Sequence, residues 1–258
     1  MQIIKNIIAS QEKFFKNNFT FSILHFTLNK VQLFITEFTK NWDKINIDNK
    51  EILDQMRKVL RMKIWDRFFV QNKNERLEVE ILDRDKTTIT WNILNTKTRC
   101  NDEAFQRWIA IAMSNKWSKM ELIVQKLSEI WIKNIYIRPS ERSVIKDVNN
   151  KKMERLYKIS QEAVEQSRWR ELPKIEFIKD ISKIILNRKV IIFDKNQRCN
   201  VASIQRWNAI WIIGPEWWLT SKDYQKFWDN YEIISLWNTI LRTETASIIA
   251  GWFIKNLK

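Results

Sequence analysis

Ala209-Ile210-Trp211-Ile212-Ile213-Gly214-Pro215-Glu216-Trp217-Trp218-Leu219 is the stretch on which the fold turns. Five apolar residues end at a Gly-Pro pair, so the run reads as a buried strand that stops in a sharp loop. Thr220 and Asp223 stand where they can cap a helix directly after that loop. Two more short apolar runs, Val190–Phe193 and Ile233–Leu236, read as strands on either side of it, with polar or helical segments between. Strand–helix alternation of this kind predicts an α/β domain with a largely parallel sheet.

The pattern extends upstream. Ser118 and Glu121 form a capping-box pair ahead of Met120, Ile123, Val124 and Leu127, which share one helical face. Ile132–Ile137 is a strand candidate, and Met153, Leu156, Ile159 and Ala163 mark a second amphipathic helix. A last helix is predicted from Thr243 to about Asn256. Before Asn101 the period shortens. Val31–Phe38, Phe68–Val70, Leu77–Leu82 and Thr87–Leu94 read as strands separated by polar turns, which suggests a small β-rich domain. Residues 1–30 carry little turn chemistry and are read as an extension, with 31–103 and 104–258 as the two domains.

The chain has 258 residues, with 45 Lys and Arg against 30 Asp and Glu, a formal charge of +15. A positive surface concentrates near polyanions, which makes nucleic acid the first partner to consider. Two cysteines without Cys-x-x-Cys spacing, Cys100 and Cys199, and one histidine, His25, leave little material for a metal site, and none is expected. The thiols fit a reducing cytoplasm. The apolar segment Phe19–Leu28 is interrupted by Thr20, Ser22, His25 and Thr27, so neither a membrane span nor a signal peptide is expected.

Fourteen Trp stand beside two Gly. Average usage would give about 18 glycines in a chain of this length. Asn41-Trp42-Asp43 sits where Asn-Gly would make a tight turn, and Ile64-Trp65-Asp66 and Lys116-Trp117-Ser118 lie in turn-like surroundings. Trp217 and Trp218 directly follow Gly214-Pro215-Glu216. Trp cannot take a positive φ cheaply, whereas Gly can. The expectation is that most of these tryptophans are glycines in the living cell, encoded by UGA. The competing reading is an aromatic-rich core, or indoles on which bases stack.

In open α/β sheets ligands bind beyond the carboxyl ends of the strands. Three loops qualify, starting at Phe193-Asp194, at Gly214-Pro215-Glu216, and at Leu236-Trp237-Asn238. With Trp read as Gly, Ile213–Leu219 becomes I-G-P-E-G-G-L and Ser235–Ala246 becomes S-L-G-N-T-I-L-R-T-E-T-A. Both resemble the hallmark loops of the RsmE family, the 16S ribosomal RNA uracil-N3 methyltransferases of the SPOUT superfamily. Lys58–Asp66 is similar to that family's K-V-L-R-x-K-x-G-D. Gln125-Lys126 with Glu129-Ile130-Trp131 resembles its Q-K-x-x-E-L-G, and Ser140-Glu141-Arg142-Ser143 and Glu165-Gln166-Ser167 extend the agreement. Where the family often has a His pair before K-V-L-R, this chain has Asp54-Gln55-Met56.

The resemblance implies a PUA-like β-barrel followed by a methyltransferase domain with a deep trefoil knot, and a homodimer acting on the small ribosomal subunit. It implies S-adenosylmethionine held by Phe193, Asp194, Gly214, Pro215, Glu216, Trp217, Trp218, Leu236, Trp237, Asn238, Ile240 and Leu241. Arg142 and Arg242 are candidates to stabilise negative charge on the uracil, and Glu216 and Glu244 to take its proton or orient an arginine. Two other readings remain at this stage: ribose 2′-O methylation of transfer RNA by a related enzyme, and RNA binding without catalysis.

Overall fold

Fully buried pentads form the middle of a parallel sheet. In the computed structural model Trp108–Ala112 (β7), Asn134–Arg138 (β8) and Ala209–Ile213 (β11) are buried at every residue. A strand buried on both faces needs no polar alternation, which is why β7 and β11 read as continuous apolar runs, while β8 carries Asn134 and Arg138 at its ends. Lys174–Phe177 (β9), Lys189–Phe193 (β10) and Tyr231–Ile234 (β12) complete the sheet in the order β12-β10-β11-β7-β8-β9, and every pairing is parallel.

Successive side chains of these strands enter opposite cores. Ile109, Ile111, Ile135, Ile137, Trp211 and Ile213 pack with the helices Trp117–Glu129 (α2), Asn150–Ser167 (α3) and Thr243–Asn256 (α6). Trp108, Ala110, Tyr136, Ile210 and Ile212 face the other way, toward Ile185 of the short helix Ser182–Ile185 (α4) and toward Phe227, just beyond Ser221–Gln225 (α5). Full burial of each such aliphatic side chain contributes about 1.5–3 kcal/mol, so both faces must be covered. Gly251 sets the α2–α6 approach: a Cβ there would lie 2.6 Å from Leu127 Cδ2 and 2.7 Å from Ile130 Cδ1.

The structure describes residues 32–84, 89–98, 107–169, 171–193, 208–215, 219–228, 230–235 and 240–256. Residues 1–30, Cys100, Cys199, Asp194, Glu216, Trp217, Trp218, Leu236, Trp237 and Asn238 lie outside them. The described residues fall into two compact units, one ending at Val70 and resuming over Leu77–Thr96, the other comprising Gln71–Arg76 and the chain from Lys97 onward.

The first unit is β-rich. Gln32–Ile35 (β1), Thr39–Asn41 (β2), Lys44–Asn46 (β3), Arg67–Gln71 (β4), Glu75–Arg84 (β5) and Ile89–Thr98 (β6) form a sheet in the order β1-β4-β5-β6-β3-β2. A single helical turn, Lys50–Asp54 (α1), is capped by the Asn49 side chain and continues into a π-helical turn, Gln55–Val59. Its core runs through Phe34, Phe68 and Trp91, which meet edge to face at 5.6 and 6.0 Å.

Several expectations shift. The strand predicted over Val31–Phe38 is described only over Gln32–Ile35. Ser118 and Glu121 do not cap α2. The helix already starts at Trp117, its cap is Lys116 without a side-chain bond, and Glu121 instead accepts a hydrogen bond from Arg155 on α3. Trp117 is therefore a first-turn helical residue rather than a turn. The strand placed at Ile233–Leu236 is Tyr231–Ile234. The Thr220–Asp223 cap on α5 forms as expected, with both reciprocal bonds present.

Candidate active site

The strand order contains a switch point. From β7 the chain goes to β8 on one side, whereas β11 sits on the other side of β7 and leads to β12 beyond β10. Loops leaving the carboxyl ends of such strands diverge and open a crevice between them. Ile213 of β11 pairs with Ile111 of β7 and with Phe193 of β10, and Phe193 pairs with Ile234 of β12. Phe193, Gly214 and the end of β12 are thereby brought to one edge. Two of the loops singled out in the sequence start there, and the third, from Leu236, lies outside the described residues.

Phe193 itself points into the core. Its ring stacks on Trp211 at 5.4 Å, and both meet Phe253 of α6 edge to face. Its contribution to the crevice is the strand end rather than the side chain. Gly214 and Pro215 directly follow β11. A Cβ at 214 would stand 3.3 Å from Leu219 Cγ, so a larger residue there would press on Leu219. Ile240 is exposed, and Leu241 is half-buried ahead of α6.

The segment after β8 is tied to the end of β7. Ser140 and Ser143 hydroxyls lie 2.8 Å apart, and the Ser143 hydroxyl donates to the carbonyl of Met113 at the end of β7. Ser140 N–H donates to Ser143 Oγ, and Lys146 Nζ donates to the carbonyls of Ser140 and Glu141. These bonds pin a tight turn whose exposed tip is Glu141-Arg142. Arg242 is also exposed, just before α6. Glu244, in the first turn of α6, lies 3.4 Å from Lys119 Nζ.

One feature escaped sequence reasoning. Arg138, the last residue of β8, is fully buried with its guanidinium 3.8 Å from the buried carboxylate of Asp223 and 5.4 Å from the Phe227 ring. Burial pulls its pKa down to about 10, while Asp223 pushes the other way. Asp223 also accepts from the backbone N–H of Glu141 and of Thr220. The Thr220 hydroxyl donates to the Glu141 carboxylate, to which Lys222 Nζ donates at 2.9 Å. Those two bonds hold Glu141 below the ordinary carboxylate value. The pinned turn and Thr220 at the start of α5 are thus stitched together by one buried carboxylate. Sequence pattern identified Asp223 as a cap but carried no signal that Arg138 would meet it.

A family model described as RNA methyltransferase domain matches residues 101–255. The chain belongs to this family. The RNA methyltransferase domain so matched contains the whole parallel sheet and the crevice. Ribosomal RNA small subunit methyltransferase E of Bacillus subtilis is 28% identical over 153 residues, which span 52% of this chain and 60% of that relative. A putative methyltransferase from Legionella pneumophila, solved with bound S-adenosylmethionine, has a TM-score of 0.73 at 20% identity, covering 88% of this chain and 98% of its own. Ribosomal RNA small subunit methyltransferase E from Neisseria gonorrhoeae, also solved with S-adenosylmethionine, gives 0.71 at 20% identity over 87% and 97%. The resemblance drawn from the motifs therefore stands, and the α/β fold is shared along nearly the whole of those structures. No helix among the described residues is long and apolar enough to cross a membrane.

Proposed function

We propose that the protein transfers a methyl group from S-adenosylmethionine to N3 of a uridine in 16S ribosomal RNA. The observation that carries this reading is the convergence of the β10, β11 and β12 ends on one edge of a parallel sheet, beside the β7 end that the Ser140–Ser143 turn grips. The residues fit a donor gripped by backbone rather than by a side chain at 214, where glycine carries no Cβ and Leu219 takes the space a larger residue would need. Phe193, Gly214, Pro215, Ile240 and Leu241 would hold the donor, together with Asp194, Glu216, Trp217, Trp218, Leu236, Trp237 and Asn238. When bound, S-adenosylmethionine supplies a methyl group on a positively charged sulfur.

Uracil N3 carries a proton at neutral pH and offers no free lone pair until that proton leaves. The chain must therefore stabilise the uracil anion and hold it in line. Arg142, at the exposed tip of a pinned turn, and Arg242 are assigned to the uracil oxygens. Glu216 is assigned to accepting the proton, and Glu244, with Lys119 beside it, to orienting an arginine. A uridine inside a helix has to be unstacked to reach the crevice, so a looped or flipped base is the substrate.

The resemblance of the motifs to the RsmE family extends the proposal to a trefoil knot in 104–258, a PUA-like barrel in 31–103 that clamps RNA, and a homodimer. The charge of +15 fits an affinity that falls steeply with salt. The test is transfer of labelled methyl to small-subunit RNA, followed by nucleoside analysis. 3-Methyluridine is expected, and Arg142→Ala should lower turnover about 100-fold. A ribose-methylated product or a transfer RNA substrate would replace this reaction by 2′-O transfer. RNA binding without donor binding would leave a non-catalytic RNA-binding protein.

A further inference from the structure

Seven non-glycine residues among those described have a positive φ: Trp42, Arg61, Trp65, Trp131, Arg168, Asn208 and Trp228. No glycine does. Trp makes up 14 of 258 residues, yet it fills four of these seven places. Asn takes the left-handed region through local hydrogen bonding, but a bulky aromatic there is a steric outlier.

The four places are ones where chain geometry calls for that conformation. Trp42, at φ 56°, is the first residue of the two-residue turn joining β2 to β3, where Asn41 pairs with Lys44. Such turns need a positive φ to match strand twist. Trp65, at φ 75°, sits in the turn before β4, its N–H bound to the Ile81 carbonyl. Trp131, at φ 72°, follows the C-cap of α2, with Ile132 N–H returning to the Leu127 carbonyl. That six-to-one bond marks the helix ending in which the left-handed residue is usually glycine. Trp228, at φ 51°, lies in the turn after α5.

The indoles do not explain these positions. Trp42, Trp65 and Trp228 are 93%, 67% and 54% exposed. Trp131 stacks on Trp169 at 4.0 Å under the Lys255 ammonium, but ring contacts do not relieve the clash of Cβ with its own backbone. Trp211 is the contrast. It sits in an extended central strand, is buried, and packs on Phe193 and Phe253.

We propose that positions 42, 65, 131 and 228 are glycine in the protein as its own cell makes it, the codon at each being UGA decoded as glycine, while position 211 is a genuine tryptophan. Peptide mass mapping of the protein from its native cells reads this directly. Glycine at the four turn positions and tryptophan at 211 is the expected map. Tryptophan at any of the four, or glycine at 211, overturns the assignment.

A recombinant comparison tests the steric argument independently. Trp42→Gly and Trp228→Gly are each set against Trp42→Ala and Trp228→Ala, because alanine removes the indole but keeps the Cβ. Each glycine variant should melt about 2–4 °C above its alanine partner. Alanine variants that melt as high as the glycine ones would overturn it. Neither readout involves methyl transfer, so failure here and failure of the proposed function are separately visible.

Discussion

The two sheets are built by different rules. In the second unit β7, β8 and β11 are buried at all five residues and feed two cores, one on each face. In the first unit β3 reads exposed-buried-exposed, and one cluster around Phe34, Phe68 and Trp91 gathers its interior. A sheet covered on both faces is defined by its strands, since the middle of each is apolar and has nowhere else to go. A sheet of short hairpins is defined as much by its turns, and two turns here, at Trp42 and Trp65, carry residues that oppose the conformation they adopt.

The comparison breaks most visibly in core truncations. Phe68→Ala should cost about 3–5 kcal/mol and shift a denaturation transition reported by the first unit. Ile111→Ala, about 2–5 kcal/mol, should act on the second. Urea unfolding followed by residue-resolved hydrogen exchange separates the two, and equal shifts of both units by either variant would defeat the contrast. Asp223→Ala comes next. It strands a buried guanidinium and removes a helix cap, for about 3 kcal/mol or more, with part of the loss recovered by adding Arg138→Met. Gly251→Ala should cost about 1–3 kcal/mol by forcing α6 away from Leu127 and Ile130.

The smallest effect concerns acid. Arg155 donates to Glu121 and holds that carboxyl below its ordinary value of 4.5. Because the folded value is the lower one, the pair's contribution is complete above about 4.5 and fades as pH falls through the folded pKa. Glu121→Gln should flatten that part of the acid limb of a stability–pH curve and change little at neutrality. An unchanged acid limb would mean that α2 and α3 gain nothing from the bridge.

How legible these features were follows from the same contrast. The apolar runs at 190–193 and 209–213 marked β10 and β11 to within a residue, because burial on both faces leaves no polar position to blur the edges. Periodicity located α3 through Leu156 and Ala163, both buried. The cap assigned to Ser118 and Glu121 missed by two residues, since the same spacing also serves a cross-helix pair, and only tertiary packing put Arg155 opposite Glu121. The three strand ends of the crevice were readable from loops that follow apolar runs. The Arg138–Asp223 contact was not, because a buried arginine joins residues 85 positions apart and leaves no periodic trace.

The sheet's order also constrains the sequence of its assembly on the ribosome. β11 lies between β7 and β10, both of which are translated before it. Until it emerges, the ladder of β7, β8 and β9 ends in a bare edge of apolar backbone, and β10 lacks the neighbour that joins it to the rest. An open edge of that kind invites pairing with other chains. Synthesis stalled between β10 and β11 would therefore leave a fragment with a sticky apolar edge, and the keystone strand that cures it is the one that runs into Gly214.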